Sequence, residues 1–161
     1  MKQQCPMANI YLTWAAFVGG LVFFLLGRKY TLGLIWLVLV PLVQWAYICA
    51  FPAISRYIGY GSVADQQAQV RAHAQAKVTI YTALGCPFCP VMKRRLVGLQ
   101  REMGFSLEEV DVTFKPELLM TKGIRAVPVI EIGEERLVGH ATSKQLADFI
   151  GNSILSTTGR P

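Results

Sequence analysis

Two cysteines separated by two residues are the part of this sequence best equipped for chemistry. Cys86 and Cys89 enclose Pro87 and Phe88, and the surrounding residues read GCPFCP. A thiolate attacks a disulfide sulfur, and a second thiol within bonding reach resolves the mixed disulfide that forms. The spacing therefore predicts two-electron thiol–disulfide exchange, with Cys86 as the nucleophile and Cys89 as the resolving thiol. We expect Phe88 to be a partly exposed residue that helps to shape the substrate surface.

The flanking residues predict that this pair lies between a strand and a helix. Residues 77–82, KVTIYT, are rich in β-branched and aromatic side chains and predict a strand. A helix over 87–103 is predicted by four residues on one face: Met92, Leu96, Leu99 and Met103. Pro87 suits the first turn of that helix, where its missing N–H costs nothing. Free N–H groups and the helix dipole at that end stabilise a thiolate, so we expect a lowered pKa for Cys86.

The residues after this helix complete a small α/β domain. The pattern predicts strands over 105–112, 127–132 and 136–138 and a short helix over 116–122 that ends at Gly123. Thr142 and Gln145 fit a capping box before a final helix with an apolar stripe. The predicted order is βαβαββα.

A zinc half-site is the main alternative for the cysteine pair. It would need two further ligands, but Cys5 and Cys49 lie before or within the apolar N-terminal segments, and His140 alone cannot complete a site. We therefore predict no metal, and we interpret Cys5 and Cys49 as bystanders. His140 is a candidate proton donor, although such a residue more often simply ends a strand.

Three consecutive cations lie on the predicted helix that follows the cysteine pair. They are Lys93, Arg94 and Arg95, and they could lower the pKa of Cys86. A charge run on an amphipathic helix is usually a solvated face, and we favour that interpretation.

The N-terminal half of the chain is typical of a membrane segment. The chain is 53% apolar and only 16% charged, which excludes disorder, and between Ile10 and Ser55 the only charged residues are Arg28 and Lys29. Two runs, about 9–27 and 32–54, are long enough to cross a bilayer. A cleaved signal peptide is disfavoured, because no small-residue cleavage site follows Gly27 and a second run begins soon after it.

These patterns divide the chain into three parts. Residues 1–57 are predicted to form a membrane anchor of two helices, residues 58–76 a linker or helical stalk, and residues 77–161 the α/β domain. Neither the anchor nor the domain carries the concentrated basic stripe that nucleic-acid binding needs.

The C-terminal half resembles the glutaredoxin branch of the thioredoxin-like family. The resemblance rests on YTALGCPFCP after the first strand, on GIRAVPVIEI, and on Gly139 after the last strand. It implies an α/β, thioredoxin-like fold with a four-stranded mixed sheet, preceded here by a transmembrane helical hairpin. In that family the residue before a cis proline faces the active site, which implies that Val127 and Pro128 offer backbone to a substrate or glutathione strand.

Two departures from the family pattern concern glutathione. Ala83 stands where many glutaredoxins carry a lysine that holds a glutathione carboxylate, and Arg125 is expected to compensate in part. Where the family often has Gly-Gly and an acidic pair, this chain reads Gly139-His140-Ala141-Thr142-Ser143. Hydroxyls such as that of Thr142 replace the acids, so a thioredoxin-like partner or a membrane electron donor is an alternative to glutathione. The resemblance implies a substrate-binding surface formed by Pro87, Phe88, Arg125, Val127, Pro128, Gly139, His140 and Thr142.

The sequence therefore predicts a membrane-tethered thiol–disulfide oxidoreductase, acting as a reductase on disulfide-containing proteins or glutathione mixed disulfides. It needs no bound cofactor, and glutathione is a candidate reductant. We expect an integral protein of a bacterial inner membrane, in contact with lipid, with its C-terminal domain in the cytoplasm. The cytoplasmic placement follows from the tendency of cations to stay on the cytoplasmic side: three cations lie outside the hairpin, and two lie in the turn between its helices. The alternative is a noncatalytic, membrane-anchored module that senses redox state or binds an iron–sulfur cluster.

Overall fold

The computed structural model describes residues 4–54 and 76–158. Its elements, in chain order, are β1 (Cys5–Pro6), α1 (Met7–Leu26), α2 (Tyr30–Ile54), β2 (Lys77–Thr82), α3 (Cys89–Met103), β3 (Ser106–Asp111), α4 (Pro116–Lys122), β4 (Ala126–Val127), β5 (Val129–Ile132), β6 (Glu135–Val138) and α5 (Ser143–Thr158). Except for Ala76, the predicted linker over 58–76 lies outside the described residues.

The two apolar segments form helices α1 and α2, which pack against each other. The contact is close at Gly20, where an added Cβ would lie 2.8 Å from the ring of Trp36. The indole Nε1 of Trp36 donates a hydrogen bond to the Phe17 carbonyl at 3.1 Å. Both helices are long and apolar enough to cross a membrane, and only 6% of each apolar window is buried within the chain. Most of their apolar surface therefore stays outside any core that the described residues form.

The C-terminal half forms the predicted mixed sheet. Within the described residues its four strands run in the order β3-β2-β5-β6, with β2 parallel to β3 and antiparallel to β5. Helices α3 and α5 pack against each other and the sheet. Their shared core is fully buried and includes Val78, Ile80, Met92, Leu96, Ile130, Leu146 and Ile150. These are the positions that the strand and helix patterns predict, and the thioredoxin-like fold is confirmed.

Local signals account for the ends of several elements. The predicted capping box forms, because the Thr142 N–H donates to Gln145 Oε1 at 3.0 Å and the Gln145 N–H donates to Thr142 Oγ1 at 3.3 Å. Helix α4 ends at Gly123, whose φ of 63° lies in the left-handed region that favours glycine.

Three details differ from the predictions. Helix α3 begins at Cys89 rather than at Pro87, since residues 87 and 88 form a turn before it. The strand predicted over 127–132 is divided into β4 and β5 by Pro128, which has no N–H for a ladder; the bond before Pro128 is cis. An additional strand, β1, pairs antiparallel with β4. A second buried cluster forms where this N-terminal strand and the hairpin meet the domain, and the cysteine pair belongs to it.

Candidate functional site

The cysteine pair lies on the loop from β2 to α3. Gly85 has a φ of 92°, a left-handed conformation that lets the chain turn before the first cysteine. The Cys86 N–H then donates to the Ala83 carbonyl at 3.2 Å. Cys86 is 2% exposed and Cys89, the first residue of α3, is 4% exposed; both are free thiols. The loop thus delivers both sulfurs to the buried cluster.

Neighbouring thiols and burial together set the acidity of Cys86. The Cys5 thiol lowers the pKa of Cys86. The Cys89 thiol and burial raise this pKa by more than Cys5 lowers it, so the net result is a pKa of about 12. The predicted lowering of this pKa is therefore wrong for this arrangement. Because α3 begins at Cys89, Cys86 lies outside the first turn, and the Cys89 N–H contributes only a minor lowering.

Cys5 lies beside the pair and is not set apart from it. It packs against the buried cluster that contains Cys86, Phe88 and Cys89. The contact with Cys86 and burial both raise the pKa of Cys5. The interpretation of Cys5 as a bystander is therefore wrong in position. No local pattern in the sequence could have found this contact, because it joins residues that are 81 positions apart.

Strand β1 holds Cys5 in place through the backbone. Cys5 pairs with Val127 and Pro6 with Ala126, next to the cis bond before Pro128. The Met7 N–H continues the ladder by donating to the Arg125 carbonyl at 3.0 Å. The backbone predicted to receive a substrate strand thus receives the chain's own N-terminal strand, while the Arg125 side chain is exposed.

Phe88 is buried, which contradicts the prediction that it is partly exposed. The ring of Phe51, from α2, packs edge-on against it with centroids 4.9 Å apart. The His140 ring lies on another side at 5.9 Å. The hairpin therefore covers the loop between the two cysteines.

Arg95 is 6% exposed, so the predicted solvated face holds only for its neighbours Lys93 and Arg94. Its Nη1 donates to the Ala141 carbonyl and lies 3.0 Å from His140 Nε2. Because a guanidinium only donates, Nε2 accepts, which requires a neutral His140. Burial, and then the charge of Arg95, lower the pKa of His140.

The remaining predicted substrate residues have structural partners. Gly139, with a φ of 92°, donates its N–H to the Pro128 carbonyl at 2.8 Å and so ties the end of β6 to the cysteine site. The Thr142 hydroxyl accepts the capping hydrogen bond of α5. Pro87 lines the cavity described next.

A cavity of about 630 Å³ lies where the hairpin meets the β2–α3 loop. Its lining is mostly apolar and includes Cys5, Trp14, Gln44, Phe51, Leu84 and Phe88. Cys86 and Cys89 do not line it. Of the three cysteines, Cys5 is thus the one that lines this space. Among residues 4–54 and 76–158, no three His, Cys, Asp or Glu side chains are arranged to hold a metal ion.

A mixed sheet with a Cys-x-x-Cys at the start of the following helix and a cis-proline loop beside it defines a thioredoxin fold. Residues 77–151 match the family described as Glutaredoxin-like domain (DUF836). A thioredoxin from Methanocaldococcus jannaschii is 32% identical over 80 residues, which are 48% of this chain and 94% of that protein. A probable thioredoxin from Methanothermobacter marburgensis is 30% identical over 81 residues, 48% of this chain and 95% of that protein.

Among solved structures, a mutant thioredoxin from Halobacterium salinarum aligns with a TM-score of 0.44 and 20% identity, covering 55% of this chain and 86% of that one. The chain belongs to the thioredoxin-like family, through a glutaredoxin-like domain in its C-terminal half.

Proposed function

We propose that this protein is a membrane-tethered thiol–disulfide oxidoreductase that reduces disulfides through Cys86 and Cys89. The observation that carries the proposal is the placement of both free thiols, two residues apart, in one buried cluster, on a domain whose family includes thioredoxins. Two cysteines at this spacing on one loop can approach disulfide geometry with little movement.

The proposed reaction uses only the sulfur atoms of the chain and its substrate. The Cys86 thiolate attacks one sulfur of a substrate disulfide, the substrate S–S bond breaks, and the departing thiolate takes up a proton. The Cys89 thiolate then attacks Cys86, forming the Cys86–Cys89 disulfide and releasing the second substrate thiol. Two electrons pass to the substrate. A thiol reductant, with glutathione or a thioredoxin-like partner as candidates, restores the dithiol.

Turnover of the full-length protein in detergent micelles tests this proposal. With dithiothreitol as the electron source and insulin as the disulfide, Cys86→Ser should abolish reduction. A Cys89→Ser protein that also carries Cys5→Ser, so that neither neighbouring thiol is left, should accumulate a mixed disulfide on Cys86. Cys49→Ser is the matched control and should behave as the wild type, since Cys49 is an exposed residue of α2. Dithiol turnover that survives in Cys86→Ser would refute the assignment.

We also propose that the hairpin spans the bilayer and holds the redox site at the membrane surface. A helix of 20 residues, such as α1, is about 30 Å long and matches a hydrocarbon core. Leu84 and Phe114, on the domain, are 49% and 75% exposed beside the hairpin, and Phe114 lies 6.3 Å from the Trp14 ring. Exposed apolar side chains at this place are more favourable in contact with the headgroup region of a bilayer than in contact with water.

The tryptophans report directly on this second proposal, because all three of them, Trp14, Trp36 and Trp45, belong to the hairpin. In liposomes with brominated acyl chains, their fluorescence should be quenched strongly. Emission equal to that in unbrominated liposomes would contradict a membrane-spanning hairpin.

The side of the membrane is a separate proposal, in which the redox domain is cytoplasmic. Three cations, Lys2, Arg56 and Arg71, lie outside the hairpin, against Arg28 and Lys29 in its turn. A reporter active only in the cytoplasm, fused to the C-terminus, should then give signal. A silent cytoplasmic reporter combined with an active export reporter would reverse this placement.

A further inference from the structure

The N-terminal strand β1 occupies the backbone beside the redox site in the manner of a bound peptide. Cys5 and Pro6 pair antiparallel with Val127 and Ala126, and the Met7 N–H adds a hydrogen bond of 3.0 Å to Arg125. Backbone pairing of this kind fixes the register of a strand, and here it packs Cys5 against the buried cluster that contains Cys86.

Several contacts outside β1 hold this register. Met7 and Ile10 are buried in the cluster that contains Cys86. On the next turn of α1, the Tyr11 hydroxyl donates to the Thr113 carbonyl at 3.2 Å. The Cys5 sulfur is therefore held by a strand and by the first turns of a helix, and a thiol held in this way has a high effective concentration toward its neighbour.

The three cysteines share one cluster but differ in access. Cys86 and Cys89 belong to the same buried cluster, and Cys5 packs against it. Cys86 and Cys89 are buried, whereas Cys5 is half-buried and lines the cavity of about 630 Å³. A small thiol or disulfide in that cavity meets Cys5 before it meets the pair.

We propose that Cys5 is a third redox cysteine, which forms a disulfide with Cys86 and passes electrons between the Cys86–Cys89 pair and a disulfide in the cavity. This inference rests on the proposed function of the pair. It assigns a chemical role to a residue outside the Cys-x-x-Cys motif and makes the N-terminal strand part of the reaction.

The proposed step balances as a thiol–disulfide exchange. The Cys5 thiolate attacks the Cys86 sulfur of the Cys86–Cys89 disulfide, so that the Cys5–Cys86 bond forms and the Cys86–Cys89 bond breaks. Cys89 leaves as a thiolate and takes up the proton that Cys5 has lost. No electrons are gained or lost within the chain. In the reducing direction the Cys5 thiolate, in place of Cys86, attacks the substrate disulfide, and one substrate thiolate leaves. Cys86 then attacks the Cys5 sulfur and releases the second substrate thiolate, and Cys89 attacks Cys86, which forms the Cys86–Cys89 disulfide and frees Cys5.

Disulfide mapping in the full-length Cys89→Ser protein tests the first part of this inference. Oxidised glutathione is the probe, and trypsin separates the cysteines into peptides 3–28, 30–56 and 78–93. We expect a joined 3–28/78–93 peptide in about tenfold excess over glutathionylated Cys86 at about 1 mM glutathione, because a positioned thiol outcompetes a dissolved one. Adding Cys49→Ser should leave that product unchanged, whereas adding Cys5→Ser should leave glutathione on Cys86.

Turnover tests the second part. Cys5→Ser should reduce the activity of the otherwise unchanged full-length protein toward a small disulfide at least about tenfold, since a serine hydroxyl cannot form the intermediate. Cys49→Ser should retain full activity. If Cys5→Ser turns over as fast as or faster than the wild type, or if Cys86 stays glutathionylated while Cys5 reacts with a maleimide, the inference falls. Either outcome would refute the role of Cys5 alone, and the proposed function of the Cys86–Cys89 pair would still stand if Cys86→Ser is inactive. An active Cys86→Ser would refute the proposed function itself.

Discussion

The acidity of Cys86 gives a prediction whose size follows from the structure. With a pKa of about 12, about one Cys86 thiol in 10⁴ is ionised at pH 8, compared with about a quarter of free cysteine with a pKa near 8.5. A more basic thiolate is also a better nucleophile. With a Brønsted slope of about 0.4 to 0.5, the higher pKa makes each Cys86 thiolate about 25 to 55 times more reactive than a thiolate of free cysteine. The net expectation is that Cys86 of the folded, reduced protein is alkylated about 40 to 100 times more slowly than in the unfolded chain, before burial slows it further.

The assay is the rate of iodoacetamide labelling, read by fragmentation of peptide 78–93 so that Cys86 and Cys89 are distinguished. The labelling rate of Cys86 should rise about tenfold per pH unit from pH 8 to 10, because the thiolate fraction does so below the pKa. Cys89→Ala should accelerate labelling, since the Cys89 thiol raises the Cys86 pKa, and Cys49→Ala should not. A Cys86 that labels at the rate of urea-unfolded protein at pH 8, or whose rate levels off below pH 9, would refute the reasoning.

Two further predictions concern the hairpin and the buried histidine. Gly20→Leu should destabilise the hairpin by about 1–3 kcal/mol in denaturant titrations, because its side chain would collide with the Trp36 ring, whereas Gly19→Leu has open space and should cost little. His140 has a folded-state pKa below its ordinary value of 6.5, so its contribution to stability is present above pH 6.5 and is lost as the pH falls toward the folded pKa. The free energy of unfolding should accordingly fall less between about pH 7 and 5 in His140→Gln than in the wild type; equal slopes in the two proteins would contradict this prediction.

Much of the domain was predictable because its signals are local. The strand at 77–82, the apolar face of α3 and the Thr142–Gln145 capping box each arise from residues within a few positions of one another. Helix α3 begins two residues after the predicted start, because Pro87 is equally compatible with a first helical turn and with the turn that precedes it.

The errors at the site come from contacts between distant parts of the chain. Arg95 belongs to a run of charged residues that is typical of a solvated helix face. Its guanidinium nevertheless donates a hydrogen bond to the carbonyl of Ala141, which is 46 positions away in the sequence. The acidity of Cys86 depends on burial and on neighbouring thiols, and neither can be deduced from its position near a helix. The position of Cys5 depends on a two-residue strand that pairs with residues 126–127, and such a short segment carries no periodicity.

Equilibration of the full-length protein with glutathione buffers of varied redox potential measures the central claim most directly. The fraction of the Cys86–Cys89 disulfide, counted by differential alkylation and mass spectrometry, should follow a reversible two-electron curve, with about 30 mV for each tenfold change in the ratio of oxidised to reduced pair. Each cysteine should be required for the transition. A protein in which these two residues never join at any glutathione ratio, or remain joined at all of them, would contradict thiol–disulfide exchange at this site.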